Sequence, residues 1–138
     1  MKEWTGTADI NSIPGIIEQI GRELNALNCS RKAYKQILVS VDELLNNIAS
    51  YAYASGTGIM TVQMIYDADS GTVSLVFIDS GIPYNPLVHE DPDVTFGAEN
   101  RPIGGLGILM VKSKMDGMEY RYENDRNILT IHKRIREE

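Results

Sequence analysis

The sequence predicts an α+β fold, a two-layer α/β sandwich in which helices cover one face of a mostly antiparallel mixed sheet. Three observations carry this. Two stretches between Ser12 and Ala52 repeat apolar residues at intervals of three and four. After Gly56 and Gly58 the pattern changes to β-branched and aromatic runs, and a third helical pattern further on is followed by two more such runs.

The first helix is predicted from Ser12, with Ile13, Ile16, Ile17, Ile20, Leu24 and Leu27 on one stripe, Pro14 tolerated in the first turn and Asn28 as the stop. Ser30 then serves as N-cap of a second helix, whose buried stripe is Tyr34, Ile37, Leu38, Val41, Leu44, Leu45, Ile48 and Ala52. Ile59 to Tyr66 and Thr72 to Ile78 read as a hairpin joined by the turn-forming Asp67 to Gly71. Between Asp79 and Gly105, Pro83, Pro86, Pro92 and Pro102 stand among Gly and Asp residues, and a loop of that length in a compact domain suggests a lid. Gly105 to Asp116 gives a third helix stopped by Gly117. Met118 to Glu123 and Ile128 to Arg134 form a second hairpin around Asn124 to Asn127.

The chain has 138 residues, 43% of them hydrophobic, without repeats or a Gly/Ser or Pro-rich linker, so one domain over 1–138 is expected. A lone Cys29 excludes an internal disulfide. Lys and Arg total 13 against 19 for Asp and Glu, a net charge of −6, which argues against direct nucleic-acid binding and against an anionic membrane surface. With no apolar run long enough to span a bilayer and no secretory block in Met1 to Ile10, a cytoplasmic protein is expected. His89, His132 and Cys29 are too few and too far apart for a zinc or iron-sulfur site, which leaves an oxygen-ligated metal open.

Three constellations bear chemistry. Glu43 and Asn47, four residues apart on the second helix, project about 40° from one another. An amide oxygen beside a carboxylate suits a magnesium-nucleotide site, the amide coordinating a hard cation and the carboxylate accepting a proton; a solvated helix face would look the same. Asp79 ends an apolar strand before Gly81 and Pro83. A half-buried carboxylate there can take the hydrogen bond of adenine's amino group, where guanine would present a carbonyl oxygen, and Gly81 would let the backbone approach the base. An ordinary turn-starting Asp is the alternative. Gly104, Gly105 and Gly107 lead directly into the third helix, a candidate phosphate cradle or, alternatively, a lid hinge or helix cap. The stretch is not a P-loop, because Lys112 is the first Lys after the glycines.

In this order and spacing, Glu43-Leu-Leu-Asn-Asn47, Asp79-Ser-Gly81-Ile-Pro83 and Gly104-Gly-Leu-Gly107 resemble the N, G1 and G2 boxes of the GHKL superfamily of ATPases and kinases, whose nucleotide site is the Bergerat fold. Within it the chain is most similar to the small anti-sigma-factor serine kinases of bacteria. Pro83 in place of a second G1 glycine, the run from Gly104 to Asp116 and the terminal stretch from Asn127 to Arg134 all read like that branch.

The resemblance implies Glu43 as general base, Asn47 as ligand of Mg2+, Asp79 on the adenine amino group, Gly81 and Pro83 shaping the base pocket, and Gly104, Gly105 and Gly107 around the phosphates of ATP. Residues 84–103 would be the nucleotide lid. It further implies phosphoryl transfer to a serine or threonine of an anti-anti-sigma protein of the STAS type, sequestration of a sigma factor, and a homodimer. Arg101 is the candidate for the cation that neutralises the leaving phosphates, with Lys112 second. Tyr51 and Asn85 depart from residues common in the family, outside the boxes. Two further readings stand beside the kinase: a nucleotide-gated binding regulator without phosphoryl transfer, and the catalytic half of a histidine kinase, against which no phosphoacceptor helix precedes the domain.

Overall fold

The computed structural model describes residues 1–53, 58–88 and 105–136. Strand β1 (Lys2–Thr7) is followed by a 3-10 turn (Ile10–Ser12), α1 (Ile13–Ala26) and α2 (Arg31–Asn47), the last continued by a π-helical turn (Ile48–Ala52). Then come β2 (Ile59–Asp67), β3 (Thr72–Asp79), a 3-10 turn (Pro86–Val88), α3 (Gly105–Lys114), β4 (Gly117–Glu123) and β5 (Arg126–Arg134). The strands form a five-stranded sheet in the order β1-β2-β3-β5-β4. Every neighbouring pair among them is antiparallel. The α+β sandwich expected of the sequence is the observed architecture.

The ends of α1 and the start of α2 follow from their residues. Asp9 accepts from the backbone N–H of Asn11 and Ser12, so the helical entry is capped one short turn before the expected start at Ser12. At the far end of α1, Asn28 takes the left-handed conformation with φ 56°. Its N–H donates to Asn25 and that of Cys29 to Leu24, a Schellman closure in which Asn serves as the left-handed residue. Ser30 caps α2 by accepting from Ala33 N–H at 3.2 Å.

The core lies between the helices and the sheet. Ile20 and Leu24 of α1 and Ile37, Val41 and Leu45 of α2 are buried in one cluster with Val62, Val73, Leu75, Phe77 and Ile131 of the strands. Strand β3 alternates with a period of two, burying Val73, Leu75 and Phe77 and then Asp79. The same alternation carries a carboxylate to the inner face at the strand's end.

Three elements differ from expectation. Strand β1 has no counterpart in the sequence reading, because Lys-Glu-Trp-Thr-Gly-Thr offers only the half-buried Trp4 as a core residue and pairs along one edge with β2. The last hairpin turns on two residues only, Asn124 and Asp125, both left-handed with φ 53° and 62°. This is the twist a two-residue loop needs, and it places Arg126 and Asn127 in β5 rather than in the turn. Helix α3 stops at Lys114, and Gly117 opens β4. Among the described residues, no helix is long and apolar enough to cross a membrane.

Candidate functional site

The inward end of β3 meets the inward start of β5, where Asp79 and Asn127 are register partners. Each is only 4% exposed. Asp79 Oδ1 accepts two hydrogen bonds, from Gly81 N–H and from Asn127 Nδ2, both at 2.9 Å. Asn127 Nδ2 also donates to the Ile82 carbonyl at 2.9 Å, while its Oδ1 accepts from Tyr84 N–H at 3.0 Å and, through a short contact, from the Tyr120 hydroxyl. The turn after β3 is thus fastened to β5 through one amide. Sequence reasoning missed Asn127, Tyr84 and Tyr120 as site residues. The available signal was the two-residue Asn-Asp turn, which puts the next Asn on the inner face of a strand.

Gly81 is closely packed against the end of the helical segment that follows α2. A Cβ there would overlap the backbone carbonyl of Ala52, and the adjacent Ile82 N–H donates to that carbonyl at 2.8 Å. The last carbonyl of a helical segment has no partner within its own helix, and the turn supplies one. Close approach of Gly81 is therefore to the end of the π-helical turn. Pro83 is exposed between Ile82 and Tyr84 and does not line the cavity beneath.

That cavity has a volume of about 30 Å³, room for one or two waters, with Ile48, Phe77 and Leu129 as apolar walls and Asn47, Asp79 and Asn127 as polar ones. Tyr84 and Pro86 close one side and Ile108 of α3 another. Asn47 is 7% exposed, and its Oδ1 is buried without a hydrogen-bond partner. An amide oxygen left so is costly unless a ligand takes it, and a neutral oxygen donor fits a hard cation such as Mg2+.

One turn back on α2, Glu43 stands outside the cavity lining, against the first turn of α3. A Cβ on Gly107 would overlap the Cδ and both oxygens of Glu43, so α3 approaches this carboxylate at a distance that only glycine permits. Burial lifts the Glu43 carboxyl above its ordinary range, and the charge of neighbouring Asp42 adds to the effect. A carboxyl so raised is a better proton acceptor near neutral pH than an exposed one.

Gly105 opens α3, consistent in position with a glycine-rich helix start. Arg101, Gly104 and most of the expected lid, including His89, lie outside the described residues. Lys112 is exposed in the last turn of α3, about 10 Å along the helix from its glycine end. The structure therefore brings Asn47 and Asp79 together in one cavity and Glu43 and Gly107 together beside it.

Known proteins resemble the chain in sequence and in fold. The family described as histidine kinase-like ATPase domain matches residues 6–133. The serine/threonine-protein kinase BtrW of Bordetella bronchiseptica is 26% identical over 95 residues, covering 69% of this chain and 66% of that protein. Among solved structures, the RsbU and RsbW domains of Rv1364c from Mycobacterium tuberculosis superpose with a TM-score of 0.64 at 15% identity, over 98% of this chain and 33% of that one. The histidine kinase domain of the Erythrobacter litoralis EL346 blue-light activated histidine kinase gives a TM-score of 0.57 at 13% identity, over 89% of this chain and 61% of that one. The chain spans less than two thirds of the length of each of these three relatives. The matches agree with the resemblance to anti-sigma-factor serine kinases of the GHKL superfamily that the three boxes carry, and the chain belongs to the histidine kinase-like ATPase domain family.

Proposed function

We propose that this chain binds Mg-ATP and transfers the γ-phosphoryl group to a serine or threonine of a STAS-type anti-anti-sigma protein, and that it holds a sigma factor when the antagonist is phosphorylated. The observation that carries the reading is the succession along α2: Asn47, with its orphaned buried Oδ1, walls a cavity together with Asp79, and Glu43, one turn away, faces the glycine start of α3. The base would enter at Asp79, whose Oδ1 is already engaged, so that Oδ2 remains to accept from the adenine amino group. Tyr84, Pro86 and Ile108 would flank the base there.

The phosphates would lie along the start of α3, with Gly104, Gly105 and Gly107 giving access to its free N–H groups and Arg101 as the neutralising cation. Asn47 Oδ1 would hold Mg2+, whose chemistry there is to offset charge on the phosphate oxygens. Glu43 would accept the proton of the attacking hydroxyl as the new O–P bond forms and the bond to ADP breaks. Adding a phosphate, with nearly two negative charges, to the target would weaken its complex with an acidic kinase. The resemblance supports a homodimer as the working unit.

The test is incubation with labelled ATP and a purified STAS-type antagonist, using the native chain and a Glu43→Ala variant. Label should pass to the antagonist from the native chain only, with ATP affinity nearly equal in both; equal loss of transfer and affinity would remove Glu43 from its assigned role. A second reading is a nucleotide-gated binding regulator without transfer. Nucleotide-dependent capture of a partner with no label transferred would decide for it.

A further inference from the structure

We infer that Asn127 is the positioning residue that sets adenine over guanine selectivity, by holding the plane of the Asp79 carboxylate so that its remaining acceptor is aimed at the base. The inference rests on the nucleotide-site reading of the preceding section and deepens it.

The orientation of the Asn127 amide is forced by its partners. Tyr84 N–H can only donate, so the atom facing it is Oδ1; the Ile82 carbonyl can only accept, so the atom facing it is Nδ2. With Nδ2 committed to that side, its bond to Asp79 is received at Oδ1, the same oxygen that accepts from Gly81 N–H. Two donors converge on one carboxylate oxygen. The carboxylate plane is thereby held, and Oδ2 is the acceptor left for an incoming amino group. Without Nδ2, the Gly81 bond alone would leave the plane free to rotate about the end of the strand. The acceptor would then no longer be aimed at the amino group, and the hydrogen bond that favours adenine would weaken.

The same amide reaches Tyr84, which walls the cavity, and Tyr120 of the edge strand β4. One side chain thus joins the Asp79 carboxylate to the segment at Tyr84 and to β4.

The experiment measures dissociation constants for Mg-ATP and Mg-GTP by calorimetry, with melting temperatures without nucleotide as the check on folding. The chains compared are native, Asn127→Ala, Tyr120→Phe and Asp79→Asn. In Asn127→Ala, ATP affinity should fall about 10- to 100-fold with GTP affinity within about threefold, so that the ratio collapses. Tyr120→Phe removes a donor to Oδ1 but leaves the bond to Asp79, and should keep the ratio within about threefold.

Should Asn127→Ala not fold, Asn127→Asp supplies the answer by pH. That variant keeps the acceptor for Tyr84 and Tyr120 but sets a second carboxylate against Asp79, with the phenols of Tyr84 and Tyr120 as the other titratable groups nearby. ATP binding relative to the native chain at the same pH should be weak at about pH 8 and recover towards about pH 5.5, where a shared proton restores the donor. A folded Asn127→Ala with the native ratio, or an Asn127→Asp with no pH-dependent recovery, overturns the inference alone if Asp79→Asn has lost ATP preference. If the native chain shows no ATP preference, or Asp79→Asn retains it, the inference falls together with the nucleotide-site reading.

Discussion

The carboxylate of Glu43 occupies the space where a side chain at Gly107 would begin. The obstacle is the far end of a flexible side chain, so an alanine there displaces Glu43 without disturbing backbone. Gly107 lies within α3, where exchanging glycine for alanine favours the helix by roughly 0.5–1 kcal/mol. Gly107→Ala should therefore melt at or above the native temperature while phosphoryl transfer drops about 100-fold, the scale of a catalytic group misplaced by an ångström. Calorimetric melting together with a transfer assay checks both halves, and unchanged transfer would separate the glycine from Glu43's function.

Gly81 makes the opposite case. There the added Cβ meets the carbonyl and Cβ of Ala52, and the Ala52 carbonyl is pinned by Ile82 N–H. Backbone cannot step aside as a glutamate can. Gly81→Ala should cost about 1–3 kcal/mol, the range of core overpacking, and should weaken ATP binding with it because the turn also carries a donor to Asp79. Denaturant titration would show the lowered midpoint, and a midpoint equal to the native one would mean that the turn seats differently against the helix end.

Asn47 sets stability against binding. Its Oδ1 is buried without a partner beside Leu44, Ile48 and Phe77, a defect worth about 1–3 kcal/mol in a folded protein. Leucine has the same branching and number of heavy atoms without a polar one, and the adjoining cavity can take its greater bulk. Asn47→Leu should raise the melting temperature of the nucleotide-free chain and abolish the further rise that Mg-ATP gives the native one. Retention of that Mg-ATP shift would mean that the cation, if bound, is held elsewhere.

What could be read in the sequence follows from which residues speak for themselves. The stripes of α1 and α2 and the β-branched runs of β2 and β3 name their faces through period alone, and the three boxes carry the family resemblance through residue type at fixed spacing. Asn127 and Gly81 do not. The role of Asn127 depends on register: only after the turn is known to be Asn124 and Asp125 does this residue fall opposite Asp79 on the inner face. Gly81's close packing is against Ala52, nearly thirty positions earlier, through a contact that exists only once the sheet and α2 are packed. Strand β1 was silent for a related reason, since an edge strand with one half-buried aromatic residue leaves no periodic trace.

The raised Glu43 carboxyl ties stability to pH with a definite sign. Burial and the nearby Asp42 charge both favour its protonated form, so the folded chain holds this proton to higher pH than the unfolded chain does. The stabilising contribution is then complete below the ordinary carboxylate range and is lost as pH rises through the raised value, leaving ionised Glu43 as a cost near neutrality. Glu43→Gln removes the charge and keeps the shape. Its melting temperature should exceed the native one at about pH 7, and the gap should close as pH falls towards about 4, where Glu43 is protonated in both states. An offset independent of pH would assign the gain to packing instead of ionisation. Because the same carboxyl is the proposed proton acceptor, the native chain's transfer rate should rise over the pH window in which its stability falls, and Glu43→Gln should show neither change.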